Sequence, residues 1–90
     1  MNLRQSEECK YIFRHYGERL QLVQFMEELA ELQSAIARKI AGKENNMNEE
    51  MADVSIMLEQ FNNRKVEQFI DQKLDRQMER IKNERENIIR

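Results

Sequence analysis

Residues 49–58, "EEMADVSIML", decide the fold, because they combine the pattern of a buried helix with two charges beside the core. Apolar residues recur here at the three- and four-residue spacing that gathers side chains onto one helix face. The apolar stripe extends beyond this segment on both sides and consists of Met47, Met51, Val54, Met57, Leu58 and Phe61. Glu50 falls inside this apolar stripe and Asp53 lies on its edge. Since a charge is expensive to bury without a partner, the segment predicts a helix that carries a polar site.

A second helix upstream repeats the arrangement around "EELAEL", residues 27–32. Its apolar stripe consists of Leu22, Phe25, Met26, Leu29, Leu32, Ile36 and Ile40. Glu28 and Glu31 lie together along one flank of this stripe. Each central helix therefore carries two carboxylates spaced three residues apart, which places both on one face, roughly one turn from each other.

Two glycines and two asparagine-rich segments divide the chain. Gly17 separates the first two helices, and Gly42 is a natural residue to end the second. Asn46 can cap the third helix, with Glu49 completing a pattern like a capping box. A bend at "NNR", residues 62–64, precedes the fourth helix. The predicted helices cover about residues 3–15, 18–41, 47–61 and 65 onwards.

The composition favours an all-α protein. Apolar residues make up 40% and charged residues 36% of the 90 residues, with two glycines and no proline to interrupt helices. We expect residues 1–90 to form a single domain, an antiparallel bundle of about four helices. A chain this short buries a thin core, so we expect homo-oligomerisation to complete the bundle.

Charge and hydropathy exclude several classes of partner. The net charge is −2 with both signs spread along the chain, which does not suit a nucleic-acid-binding protein. No apolar stretch is long enough to span a membrane, and the N-terminus has no apolar signal-peptide segment. The single cysteine, Cys9, cannot form an internal disulfide, which favours a reducing, cytoplasmic location.

The acidic pairs predict a metal site. The short loop after Gly42 makes the central helices antiparallel neighbours, so the two pairs can face each other. Four converging carboxylates would repel one another by several kcal/mol without a cation. Oxygen ligands alone suit Mg²⁺ or Mn²⁺ rather than zinc. The alternative is a bundle in which these acids pair with Arg and Lys from the fourth helix.

The two acidic motifs resemble a known family. "EELAEL", a short loop and "EEMADV" are similar to the ExxE…ExxD signature of the MazG-like all-α nucleotide pyrophosphohydrolases. The resemblance includes the lead-in "YGERLQLVQFMEELAEL" and the basic helix "KLDRQMER", and covers about residues 17–80. It implies Mg²⁺-dependent hydrolysis of nucleoside or deoxynucleoside triphosphates to the monophosphate and pyrophosphate, by a homodimer or homotetramer. The implied metal ligands are Glu28, Glu31, Glu50 and Asp53.

The resemblance also implies a phosphate-binding role for Lys73, followed on the same helix face by Arg76 and Arg80. Many relatives carry Asn between these basic positions, whereas this chain has Gln77, whose amide reaches further. Glu27 and Glu49 match the leading acids of the motifs. They are interpreted as outer-shell groups, with helix capping as the alternative for Glu49.

Among the four acids, Glu28 and Glu31 are the candidates for a general base, because they border the stripe. Glu50 and Asp53 are expected to act as ligands only. A neighbouring subunit is expected to complete the site through its first or C-terminal helix.

The competing hypothesis is a non-catalytic helical dimer that binds a protein partner through the long C-terminal helix. A di-iron carboxylate bundle is disfavoured, because that class uses two Glu-x-x-His pairs and the only histidine, His15, is far from the acids. We expect His15 on the surface and Cys9 as a packing residue. Tyr11, Phe13 and Tyr16 are expected in a core or subunit interface rather than against a nucleobase.

Overall fold

The computed structural model describes residues 1–89, and within them it contains four α-helices and no strand. The helices are α1 (Leu3–Tyr16), α2 (Glu18–Ile40), α3 (Met47–Phe61) and α4 (Arg64–Ile89). The all-α prediction is confirmed, and the predicted boundaries agree with these within one or two residues. None of the helices in this part of the chain has the length and apolar character needed to cross a membrane.

One glycine ends α1 and begins α2. Gly17 has φ 86°, a backbone conformation that side chains with a Cβ rarely adopt. Its N–H donates to the carbonyl of Phe13 at 2.8 Å, and its own carbonyl accepts from the N–H of Gln21 at 3.1 Å. The chain therefore changes direction within a single residue, which keeps α1 against the other helices.

The turn after α2 has the hydrogen bonds of a Schellman motif around Gly42, whose φ is 73°. The N–H of Lys43 donates to the carbonyl of Arg38 at 2.9 Å, and that of Gly42 to Lys39 at 3.0 Å. Gly42 thus ends the helix as predicted, and the chain returns along α2 as α3.

The predicted capping box at the start of α3 is wrong. Asn46 has φ −112° and ψ 36°, outside the extended region of a capping residue, and its side chain makes no bond to the helix backbone. Its amide nitrogen instead donates to Oε1 of Glu50 at 2.7 Å. Asn45 supplies the missing acceptor, since its Oδ1 receives the N–H of Met47 at 3.1 Å. Asn46 therefore occupies the N-cap position as predicted, with its carbonyl accepting the N–H of Glu50 at 3.1 Å, but its side chain orients an acid instead of capping the helix.

α1, α2 and α3 pack into one body around three phenylalanines. The ring of Phe61 meets Phe13 edge-on at 5.4 Å and stacks on Phe25 at 5.5 Å. Both geometries are favourable for aromatic pairs. In the described residues the buried apolar side chains are few: Cys9, Ala35, Val54 and Met57. The thin core predicted from the chain length is present.

Replacing Phe61 with Ala is expected to lower the free energy of unfolding by about 2–4 kcal/mol, because one side chain joins all three helices of the body. Urea or thermal unfolding followed by circular dichroism measures this change. Tyr11→Ala is the matched control, since Tyr11 is exposed and should change stability by less than about 0.5 kcal/mol. Equal effects of the two substitutions would show that Phe61 is not the centre of the core.

α4 does not join the three-helix body. Within the described residues it contacts none of the other helices, and its side chains from 64 to 87 are all exposed. The extended backbone of Asn62, with ψ 141°, turns the chain away from α3, and Asn63 restarts it by accepting the N–H of Val66 at 3.0 Å. The single chain therefore has the four predicted helices, of which three pack into one body and the fourth projects from it.

Candidate metal centre

Four carboxylates converge between α2 and α3. Glu28 and Glu31 come from α2, and Glu50 and Asp53 come from α3. One oxygen from each lies within 4.8 Å of the others. The structure thus brings together all four acids that the sequence predicted as metal ligands, since antiparallel packing places the two i, i+3 pairs opposite each other.

Glu28 is held in place by an amide one turn earlier on the same helix. Nε2 of Gln24 donates to Oε1 of Glu28 at 2.6 Å. The other oxygen, Oε2, is buried and accepts no hydrogen bond from the described residues. One oxygen is therefore anchored and the second is left for another ligand.

Glu50 repeats this arrangement on the opposite helix. Its side chain is only 9% exposed, and Oε1 accepts the bond from the amide of Asn46. Oε2 is buried and again has no hydrogen-bond partner among the described residues. Because buried acceptors are nearly always paired, two such oxygens in one acidic cluster point to a cationic ligand.

Glu31 and Asp53 are exposed and complete the cluster on its open side. Repulsion from the Glu28 carboxylate, followed by that from Glu50, raises the pKa of Glu31 above its ordinary value. Within the described residues, ion pairs occur only along α1, between Arg4 and Glu8 and between Lys10 and Glu7. The alternative in which Arg and Lys of the fourth helix neutralise the four acids is therefore not seen in this chain.

The raised pKa of Glu31 predicts a pH-dependent stability of the metal-free protein. Between the ordinary pKa of 4.5 and the raised one, the folded state binds more protons than the unfolded state, so stability falls as pH rises through this range. Glu31→Gln removes this penalty and should raise Tm in EDTA at pH 7, with little effect below pH 4.5. Thermal unfolding at both values of pH measures the difference.

Glu27→Gln is the control for this prediction, because Glu27 is exposed and does not belong to the converging group. It makes the same change of charge one turn away from Glu31. If both substitutions raised Tm equally, general surface charge rather than the cluster would be the cause.

A cavity of about 510 Å³ adjoins the cluster and shares two of its acids, Glu28 and Asp53. Its volume lies in the range of ordinary small-molecule sites. Most of its wall is apolar, and three glutamines add polar groups: the full lining is Ile12, Tyr16, Leu20, Gln21, Val23, Gln24, Glu28, Asp53, Ile56, Met57 and Gln60. Oε1 of Gln60 is buried without a hydrogen-bond partner in the described residues. The cavity can therefore hold a molecule with an apolar or aromatic part next to a group bound at the acids.

The predicted phosphate-binding residues are not brought to this cluster within the chain. Lys73, Arg76 and Arg80 lie on α4, which contacts neither of the helices that carry the acids. Nη1 of Arg80 donates to Oε1 of Gln77 at 3.4 Å, on the exposed surface of α4. Any contact between these cations and the acids has to involve another copy of the chain.

Other residues singled out in the sequence have simpler positions. His15 is exposed and stacks on Tyr11, with 6.4 Å between ring centroids. Cys9 is buried as a packing residue, and burial raises the pKa of its thiol. Phe13 belongs to the core, whereas Tyr16 lines the cavity rather than the body's interior.

The amides that orient the acids are not among the site residues predicted from the sequence, although their spacing gives a signal for them. Gln24 and Asn46 each stand four residues before the glutamate that they bind, the spacing at which helix side chains meet. Gln21 and Gln60 carry no comparable signal, because their role depends on how α1 closes over the other helices. Glu27 and Glu49 are exposed and outside the cluster.

Comparison with known proteins provides no relative onto which this centre can be mapped. No protein-family model matches the chain, and neither does any curated protein or solved structure. The resemblance to MazG-like pyrophosphohydrolases therefore stays a prediction from the motifs, and the function has to be inferred from the site itself.

Proposed function

We propose that the protein is a Mg²⁺-dependent hydrolase that converts nucleoside or deoxynucleoside triphosphates to the monophosphate and pyrophosphate. The observation that carries this proposal is the half-buried Glu28 together with the buried Glu50. Each has one oxygen fixed by an amide and one unpaired oxygen in a four-carboxylate cluster beside a cavity. The motif resemblance supports the same chemistry.

The donor set fits Mg²⁺. All four side chains offer carboxylate oxygens, the ligands that hard divalent cations prefer, and no thiolate or imidazole belongs to the group. Mn²⁺ is expected to substitute, because it accepts the same ligands. The amides of Gln24 and Asn46 orient two of the ligands before the ion binds, which lowers the free energy needed to assemble the centre.

The residues have separate tasks in this proposal. Bound Mg²⁺ supplies charge neutralisation of the phosphates and a more acidic water. Glu50 and Asp53 act as ligands, and Glu31 accepts the proton of the attacking water. The position of Glu31 on the open side of the cluster favours this role, because its exposed carboxylate can reach a water molecule beside the ion. Glu28 is the second candidate for the base, but its bond to Gln24 favours a role as ligand.

The cavity is proposed to hold the nucleoside. Its apolar wall suits the faces of a base, and Gln21 and Gln60 offer amide groups to the base edge or the sugar. Lys73, Arg76 and Arg80 are proposed to bind phosphate. Because these three residues lie on the projecting helix, the proposal includes a homodimer or homotetramer in which another copy supplies them.

The test is pyrophosphate release from the eight common ribo- and deoxyribonucleoside triphosphates, measured with Mg²⁺, with Mn²⁺ and with EDTA. Release with either metal and none with EDTA would support the proposal and rank the substrates. A folded sample that releases no pyrophosphate from any of the eight would contradict it. Release of single phosphates instead would show a different cleavage position.

Glu31→Gln provides a more specific test of the assigned base. Turnover is expected to fall by about 100-fold or more, the usual contribution of a general base, while Mg²⁺ affinity changes much less. Steady-state kinetics and Mg²⁺ titration by calorimetry measure the two quantities, with Glu27→Gln as the control. Equal losses of turnover and affinity would assign Glu31 as a ligand without a proton-transfer role.

The second candidate function is a non-catalytic helical dimer that binds a protein partner. The exposed α4 is the observation that favours it, because a long projecting helix is suited to docking. Metal-dependent pyrophosphate release that Glu50→Gln abolishes would exclude a purely structural role. Absence of any release in an oligomeric, folded sample would favour this second function.

A further inference from the structure

α4 is an amphipathic helix whose apolar face is uncovered. The apolar side chains of its described part are exposed: Val66, Phe69, Ile70, Leu74, Met78 and Ile81. Leu74 is 58% and Met78 64% exposed, although both lie in the middle of the helix. An α-helix advances about 100° per residue, so these side chains form one stripe along its length. A stripe of this kind on a soluble protein marks an interaction surface.

The exposed area of the chain is larger than a folded monomer usually shows. The chain exposes 7940 Å², whereas a folded monomer of 11.0 kDa exposes about 5,600 Å². The excess is therefore about 2,300 Å² per chain. A stable protein interface buries about 800 Å² on each partner. The excess exposed area is large enough for such an interface. α4 contributes to this area, because it contacts no other helix in the described residues.

The charges beside the stripe are sorted along the helix. On one flank, Glu67 and Asp71 stand in the N-terminal half, after Arg64 at the first position of the helix, and Lys82 and Arg85 stand in the C-terminal half. Acids at one end and bases at the other end of the same flank complement a second copy only when that copy runs in the opposite direction. In an antiparallel pair of α4 helices, the acids of each copy therefore lie beside the bases of the other copy.

We propose that α4 pairs with α4 of a second copy as an antiparallel, two-fold symmetric helix pair. In the alignment that the charges specify, Glu67 lies beside Arg85 of the second copy and Asp71 beside its Lys82. The same alignment places Ile70 against Ile81 and Leu74 against Met78 of the second copy, so the apolar stripes coincide. This proposed pairing rests on the homo-oligomer of the proposed function, but it does not require hydrolytic activity.

The antiparallel direction has one further support. It places the three-helix bodies at opposite ends of the pair, where they do not compete for space, whereas a parallel pair would crowd them at one end. This direction also brings Lys73, Arg76 and Arg80 of both copies to the other flank, where their mutual repulsion opposes pairing unless an anion offsets it.

Self-association of the full chain is the first measurement, by sedimentation equilibrium without nucleotide. Leu74→Glu buries a charge at the centre of the pair and should weaken the dimer about tenfold or more. Leu3→Glu is the control, because Leu3 is also an exposed leucine but lies on α1, so its replacement should leave the association unchanged. A monomeric wild-type chain, or a dimer that Leu74→Glu does not weaken, would overturn the proposal.

A charge exchange tests which surfaces meet. The variant with Glu67→Lys and Asp71→Lys carries bases at all four paired positions, and the variant with Lys82→Glu and Arg85→Glu carries acids at all four. Each should associate with itself more weakly than the wild type, and an equimolar mixture should form a heterodimer. Glu79→Lys, on the opposite face, is the control and should associate like the wild type. A mixture without preferential heterodimers would contradict self-pairing of α4.

Disulfide cross-linking distinguishes the two directions. In a Cys9→Ser background, a Leu74→Cys chain mixed with a Met78→Cys chain should oxidise mainly to the mixed dimer. A parallel pair would instead link two Leu74→Cys chains to each other, which would refute the antiparallel alignment. These measurements use no substrate, so failure of the pairing and failure of the hydrolase proposal are separate results.

Discussion

Glu50→Gln is expected to lower the rate of pyrophosphate release by at least about 100-fold. Loss of a residue that only hydrogen-bonds to a metal ligand typically costs about 10- to 100-fold in metal affinity or activity, and loss of the ligand itself should cost more. The change keeps the size of the side chain and its bond from Asn46, so the buried position should tolerate it. It removes the charge on the most buried of the four acids. Steady-state kinetics at saturating Mg²⁺ measures the loss.

Glu49→Gln is the matched control for this substitution. Glu49 is the adjacent residue, carries the same charge and is exposed outside the cluster. Its replacement should change the rate by less than about threefold, the scale of a surface charge near a helix N-terminus. If Glu49→Gln were as damaging as Glu50→Gln, the general charge at the start of α3 would matter, rather than the convergence of the four acids.

Mg²⁺ is expected to raise the thermal stability of the protein by about 10–20 °C. A ligand at 100 times its Kd adds about 2.7 kcal/mol to the free energy of unfolding, and each kcal/mol shifts Tm by about 4–8 °C in a domain of this size. The gain reflects both new bonds to Oε2 of Glu28 and Glu50 and relief of the repulsion among the carboxylates. Thermal unfolding across a Mg²⁺ titration measures it.

Two controls separate binding from screening by salt. NaCl at matched ionic strength weakens repulsion between exposed charges without binding at the centre, so it should raise Tm only slightly. Glu50→Gln should remove most of the response to Mg²⁺. A response to NaCl as large as that to Mg²⁺ would show that the acids form a repulsive surface rather than a metal site.

The helices and the acidic cluster could be predicted because they depend on local periodicity. The i, i+3 spacing puts Glu28 beside Glu31 and Glu50 beside Asp53, and the short turn at Gly42 requires the two pairs to face each other. These relations follow from helix geometry and one loop, without knowledge of the wider packing.

The position of α4 could not be predicted, because a stripe of apolar residues shows that a helix has a partner but not which one. Periodicity is the same for a helix that packs on its own body and for one that packs on another chain. The side-chain partner of Asn46 could not be predicted for a related reason. A cap and a hydrogen bond to the next turn require the same residue type, and the backbone angles decide between them.

The cavity depended on tertiary packing. Its lining includes Ile12 and Tyr16 from α1 and residues from two other helices, which no local pattern connects. Only the direction that the chain takes at Gly17 brings them together.

One side of the cavity comes from a helix that carries none of the four acids, and this separation bears on how the protein can diversify. Ile12 and Tyr16 of α1 form one side of the cavity, whereas all four acids stand on α2 and α3. Substitutions at these two α1 positions can alter which molecules fit without moving a carboxylate. In the proposed hydrolase, selection can therefore change which molecule the cavity holds through mutations that leave the four carboxylates in place.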